Sequence, residues 1–139
     1  MSERLFLDTN VVFDLLGERK LFYFQAARIA TLSDLGKIEL LVSALSYANI
    51  FYSLSKFEDK EVVKDKIRKF KALAETVDLT DLIVDKGLGS SFSDFEDSLQ
   101  YYSAIQKNCD LIITRNGKDF KHSTIPVMSP DEYLKSRNH

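Results

Sequence analysis

A chain of 139 residues with 45% hydrophobic and 29% charged side chains, 5 glycines and 2 prolines has the make-up of one folded domain and excludes a disordered or collagen-like polymer. Its 19 basic and 21 acidic residues leave a formal charge of −2, which excludes a protein that coats nucleic acid by bulk positive charge and leaves only a local basic patch open. The single cysteine, Cys109, excludes an internal disulfide, and no run reaches the ~18 apolar residues of a membrane span, so the chain is expected in the cytoplasm with no membrane partner.

Short runs of Ile, Leu, Val and Phe alternate with longer stretches of helical period, which predicts α/β: a three-layer domain over residues 1–139 around a mostly parallel sheet of four to five strands. Arg4 to Asp8 is the first strand, closed by the turn formers Asp8-Thr9-Asn10. A short helix follows from Val11 to Leu16 and ends at Gly17. Within residues 20 to 36, Phe24, Ala27, Ile29, Leu32 and Leu35 recur at helical spacing until Gly36 stops the helix. Ile38 to Val42 is the second strand. Ser43 caps a helix from Ala44 to Phe57, and a further helix from Asp59 to Glu75 stacks Val63, Ile67, Phe70 and Ala74 on one stripe. Thr76 to Leu79 is the third strand. Ser93 with Glu96 reads as a reciprocal cap opening a helix over residues 94 to 108, and Ser129 with Glu132 as another opening a helix at Pro130. Asp110 to Thr114 is a buried strand between them, and Ile125 to Met128 a weaker one.

In an open parallel sheet, ligands bind beyond the carboxyl ends of the strands. The first strand ends in Asp8, followed by the polar Thr9 and Asn10 that could hold it. The strand through Ile113 ends in Thr114-Arg115-Asn116, and the helix after Ser93 opens with Asp94, Glu96 and Asp97, of which Asp94 and Asp97 share a face. Each has an ordinary explanation: acids suit a first helical turn, and an Asp often closes a strand as a turn former. Their convergence would instead need a cation, and hard divalent ions take oxygen ligands of this kind.

Leu7-Asp8-Thr9-Asn10 with Asp14 downstream, Ser93 through Gln100, and Ile113-Thr114-Arg115-Asn116-Gly117-Lys118-Asp119-Phe120 resemble the successive motifs of PIN domains, and the resemblance runs to Pro130-Asp131-Glu132-Tyr133-Leu134. It implies a Mg²⁺- or Mn²⁺-dependent endoribonuclease, many such domains being the toxin half of bacterial toxin–antitoxin pairs, with an RNA substrate, an antitoxin protein partner and a homodimer. Asp8 and Asp97 match the family's first and third acids and, with Asp94, are the expected metal ligands. The second and fourth positions fall on Asn49 and Asn116, so two of the four catalytic positions are neutral here. Asn10, Thr114 and Arg115 are candidate substrate contacts. A stripe of Lys60, Lys64, Arg68 and Lys71 could track phosphates or form a solvated face paired with Glu61 and Asp65.

Two rivals stand beside this reading. A PIN-like RNA- or protein-binding module that has lost its chemistry is motivated by Asn49 and Asn116. A phosphatase of the haloacid dehalogenase type also starts with a strand-end Asp, but wants a second Asp where Asn10 stands. His122 and His139 are isolated in sequence, so no zinc site is expected.

Overall fold

The computed structural model describes residues 2–137, so His139 lies outside the described residues. Strands β1 (Glu3–Leu7), β2 (Ile38–Ser43), β3 (Ala74–Val77), β4 (Leu111–Ile113) and β5 (Val127–Met128) form one all-parallel sheet in the order β3-β2-β1-β4-β5. Successive strand residues point to opposite faces, and both faces here are apolar. Leu5, Leu7, Leu40, Val42, Leu111 and Ile113 enter one core, while Phe6, Leu41 and Ile112 enter the other.

The first core is covered by helices α1 (Thr9–Leu16), α2 (Tyr23–Asp34), α3 (Ala44–Leu54), α4 (Lys60–Lys71) and α7 (Pro130–Arg137). The second is covered by α6 (Phe95–Gln106), through Tyr101 and Ala104, with Cys109 and Phe120 beside them. Helix α5 (Asp81–Leu88) packs on α6, and it does so closely: a Cβ at Gly87 would stand 2.7 Å from Ser98 Oγ. The result is the three-layer arrangement expected from the alternating pattern. No helix among the described residues is long and apolar enough to cross a membrane.

Chain order reverses between β1 and β4, since β2 and β3 extend the sheet on one side of β1 and β4 and β5 on the other. The crossovers therefore part at this point and open a crevice at the strands' carboxyl ends. Pairing of Phe6 with Ile112 and Leu7 with Ile113 brings Asp8 and Thr114 out of the sheet side by side.

Several elements differ from the sequence expectation. The third strand lies at Ala74–Val77, earlier than Thr76 to Leu79, because α4 stops at Lys71 and Ala74 already pairs with Leu40. Helix α3 stops at Leu54, short of Phe57. Helix α5 was not anticipated: it buries only Ile83 and Gly87, too narrow a stripe to register as a period, although Thr80 caps it by accepting from the Ile83 N–H. The reciprocal cap of Ser93 with Glu96 is not formed. Asp94 is the cap instead, accepting from the Glu96 N–H at 2.8 Å, and the Glu96 side chain is used elsewhere. Gly36 does end α2 in the left-handed region at φ +74, and Ser129 with Glu132 does form a reciprocal cap.

Candidate active site

Asp8 is the residue at which β1 turns into α1. As the cap of α1 it accepts the Thr9 N–H on Oδ1 at 2.8 Å, and its own N–H reaches the Ile113 carbonyl at 2.9 Å. Its second oxygen accepts from Thr114 Oγ1 at 2.8 Å and, at 3.4 Å, from Asn10 Nδ2. Asp8 is 7% exposed. Burial pushes its pKa up, the Thr114 and Thr9 hydrogen bonds counter that in part, and the charges of Asp119 and Glu96 raise it again. Thr114 is itself buried and oriented, receiving Asn10 Nδ2 at 3.3 Å and the Asn116 N–H at 3.1 Å. Asn10 and Thr114, considered above as substrate contacts, both bond Asp8, and Asn10 also lines the cleft.

Asp8 lies in a cleft of about 460 Å³ whose walls also carry Thr9, Asn10, Asp94, Glu96, Asp97, Asn49 and Asn116, so the acids of the α6 start and both neutral positions meet Asp8 here. Asp97 is half-buried, and every influence on it acts in one direction. Burial, then the charges of Asp94, Asp8, Asp119 and Glu96, push its carboxyl up to about 7. Asn49 donates through Nδ2 to Glu96 Oε1 at 2.5 Å. With its amide nitrogen so committed, the Asn49 carbonyl oxygen is left as an acceptor. The neutral residue at position 49 therefore brings a carboxylate to the cleft that it does not itself possess.

Asp119 is the acid that sequence reasoning passed over. The chain after Asn116 forms a 3₁₀ turn, Gly117–Phe120, in which side chains three apart eclipse. Asp119 thereby returns beside Asn116 at the cleft wall, near enough to repel Asp8 and Asp97. The signal was present as an acid three residues beyond a polar turn former. Gln100 was also missed. It is 1% exposed and donates to Ser46 Oγ at 3.1 Å and Thr9 Oγ1 at 3.3 Å, tying α6 to α3 and α1 beneath the cleft.

Arg115 lines the cleft, but its guanidinium is engaged. It forks onto the buried Asp14, Nε to Oδ2 at 2.5 Å and an Nη to Oδ1 at 3.2 Å, and lies 4.0 Å from the centre of the Phe22 ring. The stripe on α4 is not brought to the site. Lys64 and Arg68 pair with Glu61 and Asp65 on the same helix, and no α4 residue lines the cleft.

All donors converging on the cleft are oxygens, which suits a hard divalent ion. No group of three acidic, histidine or cysteine side chains among the described residues is close enough to grip an ion unaided. Mg²⁺ characteristically uses one or two carboxylates and completes its shell with water and phosphate oxygens, so the cleft fits that mode and not a closed protein cage.

The crowding has a consequence for stability in EDTA. Below about pH 4 an unfolded aspartate is also protonated and Asp97 contributes nothing. Between about pH 4 and pH 7 the unfolded chain releases the proton that the folded chain keeps, so this group makes stability fall as pH rises, levelling off above about 7. Asp97 is partly open to water, and screening reduces the loss to roughly 1 kcal/mol. Asp97→Asn is expected to be more stable than wild type by that amount at pH 8 and by little at pH 4 in urea denaturation. An equal difference at both pH values would contradict the crowded-acid description.

The family model described as PIN domain matches residues 4–118. The chain is 29% identical to Ribonuclease VapC1 of Aquifex aeolicus, over 99% of this chain and 97% of that protein. Its fold is similar to that in the crystal structure of VapBC2 from Rickettsia felis bound to a DNA fragment from their promoter, with a TM-score of 0.66 at 20% identity over 91% of this chain and 97% of the other. It is also similar to FitAcB from Neisseria gonorrhoeae, with a TM-score of 0.69 at 16% identity and the same coverage. VapC20 of Mycobacterium tuberculosis, a Sarcin-Ricin loop cleaving toxin, shares the fold with a TM-score of 0.66 at 11% identity over 83% of this chain and 92% of that one. With the matched segment running from β1 into the start of the 3₁₀ turn and taking in Asp8, Asp94, Glu96 and Asp97 of the cleft, the chain belongs to the PIN domain family.

Proposed function

We propose that this protein is an endoribonuclease dependent on Mg²⁺ or Mn²⁺, the toxin of a bacterial toxin–antitoxin pair, acting in the cytoplasm as one domain over residues 1–139. The observation that carries the reading is the cleft of five carboxylates, Asp8, Asp94, Glu96, Asp97 and Asp119, at the point where strand order reverses. The likeness to a ribonuclease, and in fold to a toxin–antitoxin complex from Klebsiella pneumoniae, supports the RNA substrate and the antitoxin partner. A homodimer is part of the same proposal.

Asp8 and Asp97 hold the ion in this reading, with Asp94 at the α6 start and Asp119 at the 3₁₀ turn completing or orienting its shell. Asn49 and Asn116 offer carbonyl oxygens. The ion, when bound, supplies a nucleophile at neutral pH and neutralises charge developing on the phosphate. Thr114, Asn10 and the Thr9 amide fix the Asp8 oxygens in place beforehand, so little reorganisation is needed when the ion and RNA arrive. Asp97 gives up the proton that burial and then its acidic neighbours favour, and metal affinity accordingly rises with pH through about 7.

A module that has lost its chemistry is the second reading, resting on the neutral Asn49 and Asn116. The recruitment of Glu96 by Asn49 and the return of Asp119 beside Asn116 favour the active enzyme over it. Incubation of the purified protein with a labelled single-stranded RNA is expected to give cleavage in Mn²⁺ and none in EDTA. Cleavage that persists undiminished in EDTA would refute metal dependence.

A further inference from the structure

An RNA strand entering the cleft meets five carboxylates against two arginines, of which Arg115 is already paired with Asp14. Arg19, 5.4 Å from the centre of the Phe13 ring, has no carboxylate within 4.0 Å among the described residues, but one such cation leaves the wall net negative. The α4 stripe lies elsewhere. A polyanion therefore needs an anchor next to the cleft, and a second pocket, of about 330 Å³, shares Asp119 with it as a common wall. This pocket lies between the segment preceding α6 and the 3₁₀ turn. Lys118, Lys121 and His122 line it on one side, and Phe92 and Ser93 on the other.

Neither Lys118 nor Lys121 has an acidic partner within 4.0 Å among the described residues, in contrast to the paired Lys64 and Arg68. Phe92 is half-buried and held by other rings, at centroid distances of 5.3 Å from Tyr101, 6.4 Å from Tyr102 and 6.3 Å from Phe120. An aromatic side chain fixed beside free cations is the combination that binds single-stranded nucleic acid: a ring for the base and charge for the backbone. We propose that the pocket of Phe92, Lys118, Lys121 and His122 is a nucleotide subsite that anchors single-stranded RNA next to the carboxylate cleft.

The subsite rests on the nuclease reading for its purpose, but RNA binding tests it separately. Binding of a fluorescein-labelled oligouridylate of twelve nucleotides is measured in EDTA by anisotropy across a salt series. Replacing Lys118 and Lys121 together by Gln is expected to weaken binding about tenfold at 0.1 M salt and to flatten the log-log salt slope by about 1.4, from two lost contacts to a single strand. Lys64→Gln with Arg68→Gln is the control and is expected to change affinity less than twofold. Phe92→Leu keeps an apolar side chain against the tyrosines and is expected to weaken binding severalfold with no change in salt slope, as loss of stacking requires. Unchanged affinity and slope in the Lys118/Lys121 variant, or an equal loss in the control, would overturn the subsite. Cleavage in Mn²⁺ by that variant with unchanged KM would overturn it while leaving the nuclease intact. Wild type that binds through these lysines but does not cleave would leave the subsite standing and refute the nuclease.

Discussion

Asp8→Asn and Asp97→Asn are each expected to lower Mn²⁺-dependent RNA cleavage by at least about a hundredfold while leaving the circular dichroism spectrum unchanged. Removing a group that only orients a metal ligand costs roughly 10–100-fold, so neutralising a ligand should cost no less. The substitutions preserve shape. Asn at position 8 can still accept the Thr9 N–H, and the hydrogen bond lost to Thr114, whose oxygen already accepts from Asn10 and Asn116, costs about 1 kcal/mol, which the fold can bear. Thr114→Val provides a graded comparison, because it removes the hydrogen bond to Asp8 Oδ2 and the acceptor for Asn10 while keeping the charge. Its loss should fall short of that in Asp8→Asn. A folded Asp8→Asn or Asp97→Asn that cleaves at the wild-type rate would remove that residue from the mechanism.

Arg115→Ala is expected to cost about 3 kcal/mol of folding stability, a large part of the 5–15 kcal/mol typical of a domain, as read from urea denaturation. Asp14, on α1, is 1% exposed, and without Arg115 its buried side chain is left with no ion-pair partner. The reverse truncation is milder. Arg115 is 26% exposed and rests on Phe22, so in Asp14→Asn the guanidinium can turn toward water, at an expected cost of about 1–2 kcal/mol. Arg115→Lys should lie between, having charge but no fork. Equal losses for Arg115→Ala and Asp14→Asn would mean that burial asymmetry does not govern the pair. The same break should also disturb the cleft, because the Arg115 N–H donates to Asn10 Oδ1, and Asn10 in turn holds Asp8 and Thr114.

Much of this arrangement was legible in the sequence because the strands carry continuous apolar runs and end abruptly in polar residues. Leu5-Phe-Leu7 into Asp8 and Leu111-Ile-Ile113 into Thr114 are of this kind, and once the sheet is parallel both ends must lie at one edge. What stayed hidden depends on where side chains turn after the backbone is set. Glu96 looked like half of a reciprocal cap, and only the approach of α3 to α6 shows that Asn49 takes its carboxylate. Asp119 needed a 3₁₀ turn that four residues without periodicity do not announce. Arg115 was read as a substrate contact, and the burial of Asp14, which decides for the pair, is a property of tertiary packing that no local pattern carries. The basic stripe on α4 was correct as a helical face, and its distance from the site follows from β3 lying at the sheet edge.

Thermal unfolding with and without Mn²⁺, for wild type beside Asp8→Asn, tests the central claim most directly because it needs neither substrate nor partner. Without metal, Asp8→Asn should melt higher than wild type, since it relieves a buried charge and its repulsion with Asp119 and Glu96. With Mn²⁺ at about one hundred times its Kd, wild type should gain about 2.7 kcal/mol, a rise of several degrees in Tm, while the variant gains much less and the order of the two proteins narrows or reverses. Equal Mn²⁺-induced shifts in wild type and Asp8→Asn would contradict a metal held at Asp8 and, with it, the assignment of this cleft as the centre of a metal-dependent ribonuclease.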